Sequence, residues 1–127
     1  MNNIKIEIFT DGSSTPNRSG YGFMIRAMKR GVVLKEKHVS EEIDRTTNNR
    51  AEIIAVIRGL QELKDRADVI IYSDSQYVVQ TMKKRWKKKT NIDLWDELDS
   101  EVNKHSVRFI WIPRESNQIA DSLSRQN

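Results

Sequence analysis

The 127-residue chain contains no cysteine, which excludes disulfides, thiol catalysis and any cysteine-ligated zinc site. Metal chemistry would have to use oxygen ligands or the two histidines, His38 and His105. No run of 18 apolar residues occurs, so neither a spanning helix nor a membrane partner is expected. The start of the chain alternates polar and apolar residues up to Phe9 and lacks the apolar core of a secretory signal. With the missing cysteines, that makes the cytoplasm the expected location. Internal repeats, low-complexity tracts and linkers are also absent. The length is that of one domain, expected to span 1–127, with roughly two-thirds of its unfolded surface buried. A content of 37% apolar and 31% charged residues describes a globular protein.

Positive charge is in slight excess, 22 Lys and Arg against 18 Asp and Glu, but it is concentrated. Lys83, Lys84, Arg85, Lys87, Lys88 and Lys89 surround Trp86, and without these six the balance becomes 16 against 18. Such a run is commonly a solvated surface. A basic cluster wrapped around an aromatic is also how a protein engages a phosphate backbone.

Alternation in Ile4–Phe9 predicts a first strand that ends at a turn, Thr10-Asp11-Gly12-Ser13. After a loop at Ser14–Ser19, a second strand is expected over Tyr21–Met28. A turn at Lys29-Arg30-Gly31 then leads to a third strand over Val32–Ser40. From Arg50 the period changes to helical, through Ala51, Ile54, Ala55, Ile57, Leu60 and Leu63, with Asn48 or Asn49 available as N-cap and an end near Lys64. Val69–Tyr72 reads as a buried strand, and Ser73-Asp74-Ser75 as the cap of a helix that runs into the basic cluster. A helix over Ile92–Val102, a strand over Val107–Ile112, a loop over Pro113–Asn117 and a helix over Gln118–Ser124 complete the order. That order predicts an α/β fold: a mixed five-stranded sheet, three antiparallel strands and then parallel ones, with helices on both faces. Placing the fourth strand beside the first brings Asp11 and Asp74 together at adjacent carboxyl ends, where open α/β sheets build their sites.

Four carboxylates attract attention jointly, although each has an ordinary reading alone. Asp11 suits a turn, Asp74 a cap, Glu52 a first helical turn and Asp121 an exposed helix position. Four separate segments nevertheless direct them toward one crevice, where like charges oppose each other's ionisation. A divalent cation would remove that penalty, and an all-oxygen donor set indicates Mg²⁺ or Mn²⁺.

The segments Thr10-Asp11-Gly12-Ser13, Thr46-Thr47-Asn48-Asn49-Arg50-Ala51-Glu52, Tyr72-Ser73-Asp74-Ser75-Gln76-Tyr77-Val78 and Asn117-Gln118-Ile119-Ala120-Asp121 resemble the four motifs of type 1 ribonuclease H, in its chain order. Gly20-Tyr21-Gly22 and Asp93-Leu94-Trp95 extend the resemblance over nearly the whole chain. It implies the ribonuclease H-like fold and hydrolysis of the RNA strand of an RNA/DNA hybrid by two metal ions, leaving 5′-phosphate and 3′-hydroxyl ends. Carried over position by position, Asp11 would bridge both ions, Asp121 would help hold the ion on the attacking side, and Glu52 and Asp74 the ion on the leaving side. Asn48, Asn49 and Gln76 match the family's minor-groove and ribose contacts, Glu52 its 2′-hydroxyl contact, and Thr47 a contact to a DNA phosphate.

Two departures stand out. The loop Trp111-Ile112-Pro113-Arg114-Glu115-Ser116-Asn117 lacks the histidine that many members carry there, as in the family's short-loop members. Arg114 is then the candidate to approach the scissile phosphate, against the simpler reading of a loop arginine paired with a carboxylate. His38 and His105 read as surface or edge residues. Lys83–Thr90 resembles a shortened remnant of the basic handle of bacterial members, with Trp86, Lys87, Lys88 and Lys89 as candidate contacts to the DNA strand, whereas Trp95 reads as core. The expectation is thus a monomeric, Mg²⁺-dependent endoribonuclease acting on RNA/DNA hybrids. The rivals are a non-catalytic hybrid-binding module of the same fold and, less favoured by the ribose-reading segments, a DNA-cutting relative.

Overall fold

The structure, a computed structural model, describes residues 3–126, so the extreme ends of the expected domain lie outside the described residues. Strands β1 (Ile4–Ser14), β2 (Ser19–Lys29) and β3 (Val32–Ile43) form an antiparallel meander. They are followed by α1 (Asn48–Gln61), β4 (Asp68–Ser73), α2 (Gln76–Met82), α3 (Ile92–Val102), β5 (Ser106–Trp111), a 3₁₀ turn (Arg114–Ser116) and α4 (Gln118–Arg125). The sheet order is β3-β2-β1-β4-β5, with β1–β4 and β4–β5 parallel. This is the predicted mixed sheet.

Helices cover both faces because neighbouring strand residues point opposite ways. Gly59 of α1 packs against Ile8 and Phe23, while the adjacent Gly22 lies under Leu123 and Ser124 of α4. α1 is enclosed between the sheet and α3, so Ile53 and Val56 are fully buried as well as the predicted Ala51, Ala55, Ile57 and Leu60. Ile8, Phe23, Ile71, Leu98 and Trp95 complete this core, each side chain contributing roughly 1.5–3 kcal/mol by its removal from water. Trp95 is core, as expected from its place on the apolar stripe of α3.

Several local expectations are corrected. Asp11-Gly12 is not a turn: β1 continues to Ser14, with Asp11 opposite Gly22 and Gly12 opposite Tyr21. The reversal lies within the expected Ser14–Ser19 loop, at Thr15–Arg18, where the Thr15 N–H donates to the Arg18 carbonyl at 2.8 Å. Pairing with β2 outweighs the local turn preference of Asp-Gly. The third strand also runs beyond Ser40 to Ile43, and the first helix stops at Gln61 instead of near Lys64. Its N-cap is Thr47, whose hydroxyl accepts from the Arg50 N–H at 3.1 Å, and Asn48 and Asn49 are the first helical residues. Glu52 therefore lies beyond the first turn, which removes the dipole explanation for its charge. The second helix, capped by Ser75, ends at Met82 where the basic cluster begins, and Lys84 within the cluster takes a left-handed conformation (φ 64°) that keeps the helix from continuing through it. His105 is buried, not peripheral: its Nδ1 accepts from the Ala67 N–H at 3.1 Å, just before β4. Among the described residues no helix is long and apolar enough to cross a membrane.

Candidate active site

Parallel pairing of β1 with β4 sets Thr10 beside Ser73, and so places Asp11 next to Asp74 immediately beyond the end of β4. Glu52 enters from α1, where its Oε1 accepts the Gly12 N–H at 3.0 Å. One carboxylate oxygen from each of Asp11, Glu52 and Asp74 can be chosen so that all three lie within 4.8 Å of one another. They open into a cleft of about 560 Å³ that Asp121, Asn48, Trp111, Arg114 and Arg125 also line.

Burial and mutual repulsion disfavour the ionised forms of these carboxylates. Burial, then the Asp74 charge, push the Asp11 carboxyl up to about 7. Glu52 is raised well above the usual carboxylate range, first by burial and then by the charges of Asp11 and Asp74. Asp74 is raised by burial and by Asp121, against the opposing hydrogen bond from Asn117 and the charge of Arg114. Oxygen-only donors whose ionised forms are disfavoured until a cation arrives fit a hard divalent metal ion.

A family model for RNase H matches residues 3–127. The chain is 39% identical to the ribonuclease H of Idiomarina loihiensis, over 98% of this chain and 89% of that protein. It is 36% identical to that of Escherichia coli O139:H28, over 95% and 87%. The chain belongs to the ribonuclease H family. Among solved structures it is similar to the N-terminal RNase H domain of a Mycobacterium tuberculosis protein (TM-score 0.76, 29% identity, 95% and 91% of the two chains). It is also similar to LC11-RNase H1 in complex with an RNA/DNA hybrid (TM-score 0.71, 29% identity, 93% and 92%).

Within the cleft the fourth predicted carboxylate is placed differently from the other three. Asp121 adjoins Asp11, but its Oδ1 accepts from Arg125 Nε at 3.0 Å and faces Arg114 Nη2 at 3.6 Å. Arg114 therefore has a carboxylate partner while remaining largely exposed in the cleft. Thr47, Asn48, Asn49 and Gln76 are all exposed at the starts of α1 and α2. Asn48 Oδ1 accepts the Ser14 N–H at 2.8 Å, tying the end of β1 to α1, and Gln76 Oε1 accepts from Gln80. Trp86 is half-exposed, and Lys87 and Lys89 are exposed beside it. Lys88 is ion-paired to Asp99 of α3.

Sequence reasoning gave no role to two residues that hold Asp74. Asn117 is buried, and its Nδ2 donates to the Thr10 carbonyl at 2.9 Å and lies 3.4 Å from Asp74 Oδ2. Trp111 donates its indole N–H to the Asp74 carbonyl at 3.1 Å. The position of Asn117 at the start of the last helix was the available signal, but its buried bond is to Thr10 of β1, 107 positions away in the chain.

Proposed function

We infer that the chain is an endoribonuclease that hydrolyses the RNA strand of RNA/DNA hybrids, and that residues 1–127 act as one domain, as a cytoplasmic monomer. The observation that carries this reading is the Asp11, Glu52 and Asp74 cluster, whose oxygens can gather within 4.8 Å at the end of the sheet. Asp11 would hold two ions in common, Asp121 would share the ion on the attacking side, and Glu52 and Asp74 the ion on the leaving side. Mg²⁺ or Mn²⁺ ions held by these residues would supply charge neutralisation at the entering and departing oxygens of an in-line displacement.

The chain's own groups orient that site. The Gly12 N–H fixes one oxygen of Glu52, and Asn117 and Trp111 fix Asp74 at its carboxylate and its carbonyl. Asn48, Asn49 and Gln76, exposed beside the cleft, would read the minor groove and ribose hydroxyls, and Thr47 would meet a DNA phosphate. The Thr47 oxygen accepts the capping bond from Arg50, so its own proton is free for that phosphate. Trp86, Lys87 and Lys89 extend the surface toward the DNA strand.

The test is incubation of a labelled RNA/DNA duplex with and without Mg²⁺, alongside RNA/RNA and DNA/DNA duplexes and the variants Asp11→Asn, Glu52→Gln and Asp74→Asn. Cleavage of the hybrid's RNA strand alone is expected, dependent on metal and lost in each variant. Tight hybrid binding without cleavage by the unaltered protein would leave only the binding-module reading.

A further inference from the structure

Ser124, on the last turn of α4, is fully buried, where a hydroxyl must find hydrogen-bond partners within the protein. Its Oγ lies 2.7 Å from the carbonyl of Asp121 and 3.2 Å from Asp11 Oδ2. A hydroxyl has one proton to donate and two lone pairs. The contact to Asp121 is the ordinary back-bond of a helical serine to the carbonyl three residues earlier. That bond alone would turn the serine lone pairs toward Asp11, which is unfavourable whenever Asp11 is ionised, as it is when holding a cation.

The serine is also held firmly in place. Its carbonyl accepts from Arg18 Nη1 at 2.8 Å, the neighbouring Leu123 carbonyl accepts from the Ser40 hydroxyl, and Arg18 reaches on to the Gln126 carbonyl. Gly22 lets the helix backbone come close to the sheet, because a Cβ on Gly22 would collide with Leu123 and the Ser124 nitrogen. Ser124 itself has no solvent access, so on the α4 side of Asp11 its hydroxyl is the donor at hand.

We propose that Ser124 is a positioning residue for the metal site: its hydroxyl turns from the Asp121 carbonyl to donate to Asp11 Oδ2, fixing the carboxylate in the orientation that receives the cation. The inference rests on the reading of Asp11 as a metal ligand. It adds a donor to Asp11 comparable to the Gly12 N–H on Glu52 and Asn117 on Asp74, so that each member of the cluster has one oxygen held by the protein.

Calorimetric titration with Mg²⁺, repeated with Mn²⁺, on the unaltered protein, Asp11→Asn, Ser124→Ala and Ser124→Cys separates the two claims. Partners of metal ligands typically contribute 10–100-fold in affinity. A neutral hydroxyl at this distance should lie at the low end, so Ser124→Ala is expected to bind about 10-fold more weakly. Ser124→Cys fills the space with a poorer donor and should show a similar loss, and it decides the matter if the alanine variant does not fold. Raising Mg²⁺ should recover only part of the turnover lost in both, because the ligands remain but Asp11 is no longer held in its orientation. Unaltered protein that binds no cation would remove the metal-site reading itself. Normal metal binding in a folded Ser124 variant, with Asp11→Asn impaired, would overturn the inference and leave Ser124 as a helix back-bond.

Discussion

The Gly12 N–H donates to Glu52 Oε1 at 3.0 Å, and the same glycine lies directly against the backbone of Ala51 and Glu52. A Cβ at position 12 would overlap the Ala51 carbonyl group and the Glu52 nitrogen, atoms of a helix that cannot retreat without leaving the core. Glycine serves here as a close-approach residue. It lets α1 come down until its carboxylate reaches the end of β1.

Gly12→Ala is therefore expected to separate α1 from β1 and disturb both stability and the site. Overpacking against backbone costs about 1–3 kcal/mol, readable as a lower denaturant midpoint. Cleavage should fall further than stability does, because Glu52 loses its donor. An alanine variant with normal stability and turnover would mean that the approach is not needed.

The acidic cluster makes metal-free stability depend on pH in a defined direction. Asp11 is raised from 3.8 to about 7, and Glu52 and Asp74 are raised too, so the folded protein holds more protons than the unfolded chain between about 4 and 7. The stability they contribute is complete below the unfolded pKa values and is lost as pH rises through the folded ones. Without metal, the thermal midpoint should fall between pH 4 and pH 7, and Asp11→Asn should flatten that fall. Adding Mg²⁺ near pH 8 should restore the midpoint in the unaltered protein and not in Asp11→Asn.

Periodicity and spacing revealed the strand and helix order, the antiparallel-then-parallel sheet and the meeting of Asp11 with Asp74, because these follow from alternation, helical stripes and chain order. Less legible was everything set by tertiary contact. Asp-Gly at 11–12 has the local chemistry of a turn, and only pairing with Gly22 and Tyr21 keeps it extended. Asn48 and Asn49 suit a cap as well as Thr47 does, but it is the Thr47 hydroxyl that accepts the Arg50 N–H, while Asn48 is tied to Ser14. The burial of His105, Asn117 and Ser124 arises from residues 38 to 113 positions away in the chain, beyond the reach of any local pattern.

The basic cluster should contribute unequally to substrate binding. Lys88 is paired with Asp99, whereas Lys87 and Lys89 are exposed, with no ion pair among the described contacts. Each phosphate contact adds about 0.9 to the slope of log affinity against log salt on B-form DNA. Lys87→Ala and Lys89→Ala should each flatten the slope for hybrid binding by somewhat less than that, and Lys88→Ala by much less. Equal effects from all three would show that the Asp99 pair opens on binding, and no effect from any would assign the cluster to solvated surface.

Two arginines approach Asp121, and their geometry predicts different consequences for each. Arg125 donates from Nε at 3.0 Å across one helical turn, an exposed i,i+4 pair of the kind that contributes about 0.3–0.5 kcal/mol. Arg125→Ala should therefore shift the Mg²⁺ half-saturation point by no more than about 2-fold and leave turnover nearly unchanged. Arg114 is more exposed and stands 3.6 Å from Asp121 at the 3₁₀ turn, and its charge also acts on Asp74. Its guanidinium retains donors free to meet a phosphate oxygen in the cleft. Arg114→Ala should lower turnover at saturating Mg²⁺ by about 10- to 1000-fold, the order of losing one electrostatic donor, and Arg114→Lys should recover only part, because the planar fork is gone. An arginine cannot shuttle protons near neutral pH. The nearest described histidine alternatives are also poorly placed, His105 beside the opposite end of β4 and His38 on β3 paired to Glu36. The rate at saturating Mg²⁺ should thus show no titration in the imidazole range, while at low Mg²⁺ it should climb through about pH 7 as Asp11 gives up its proton. Full activity in Arg114→Ala would make that residue a loop cation held by Asp121.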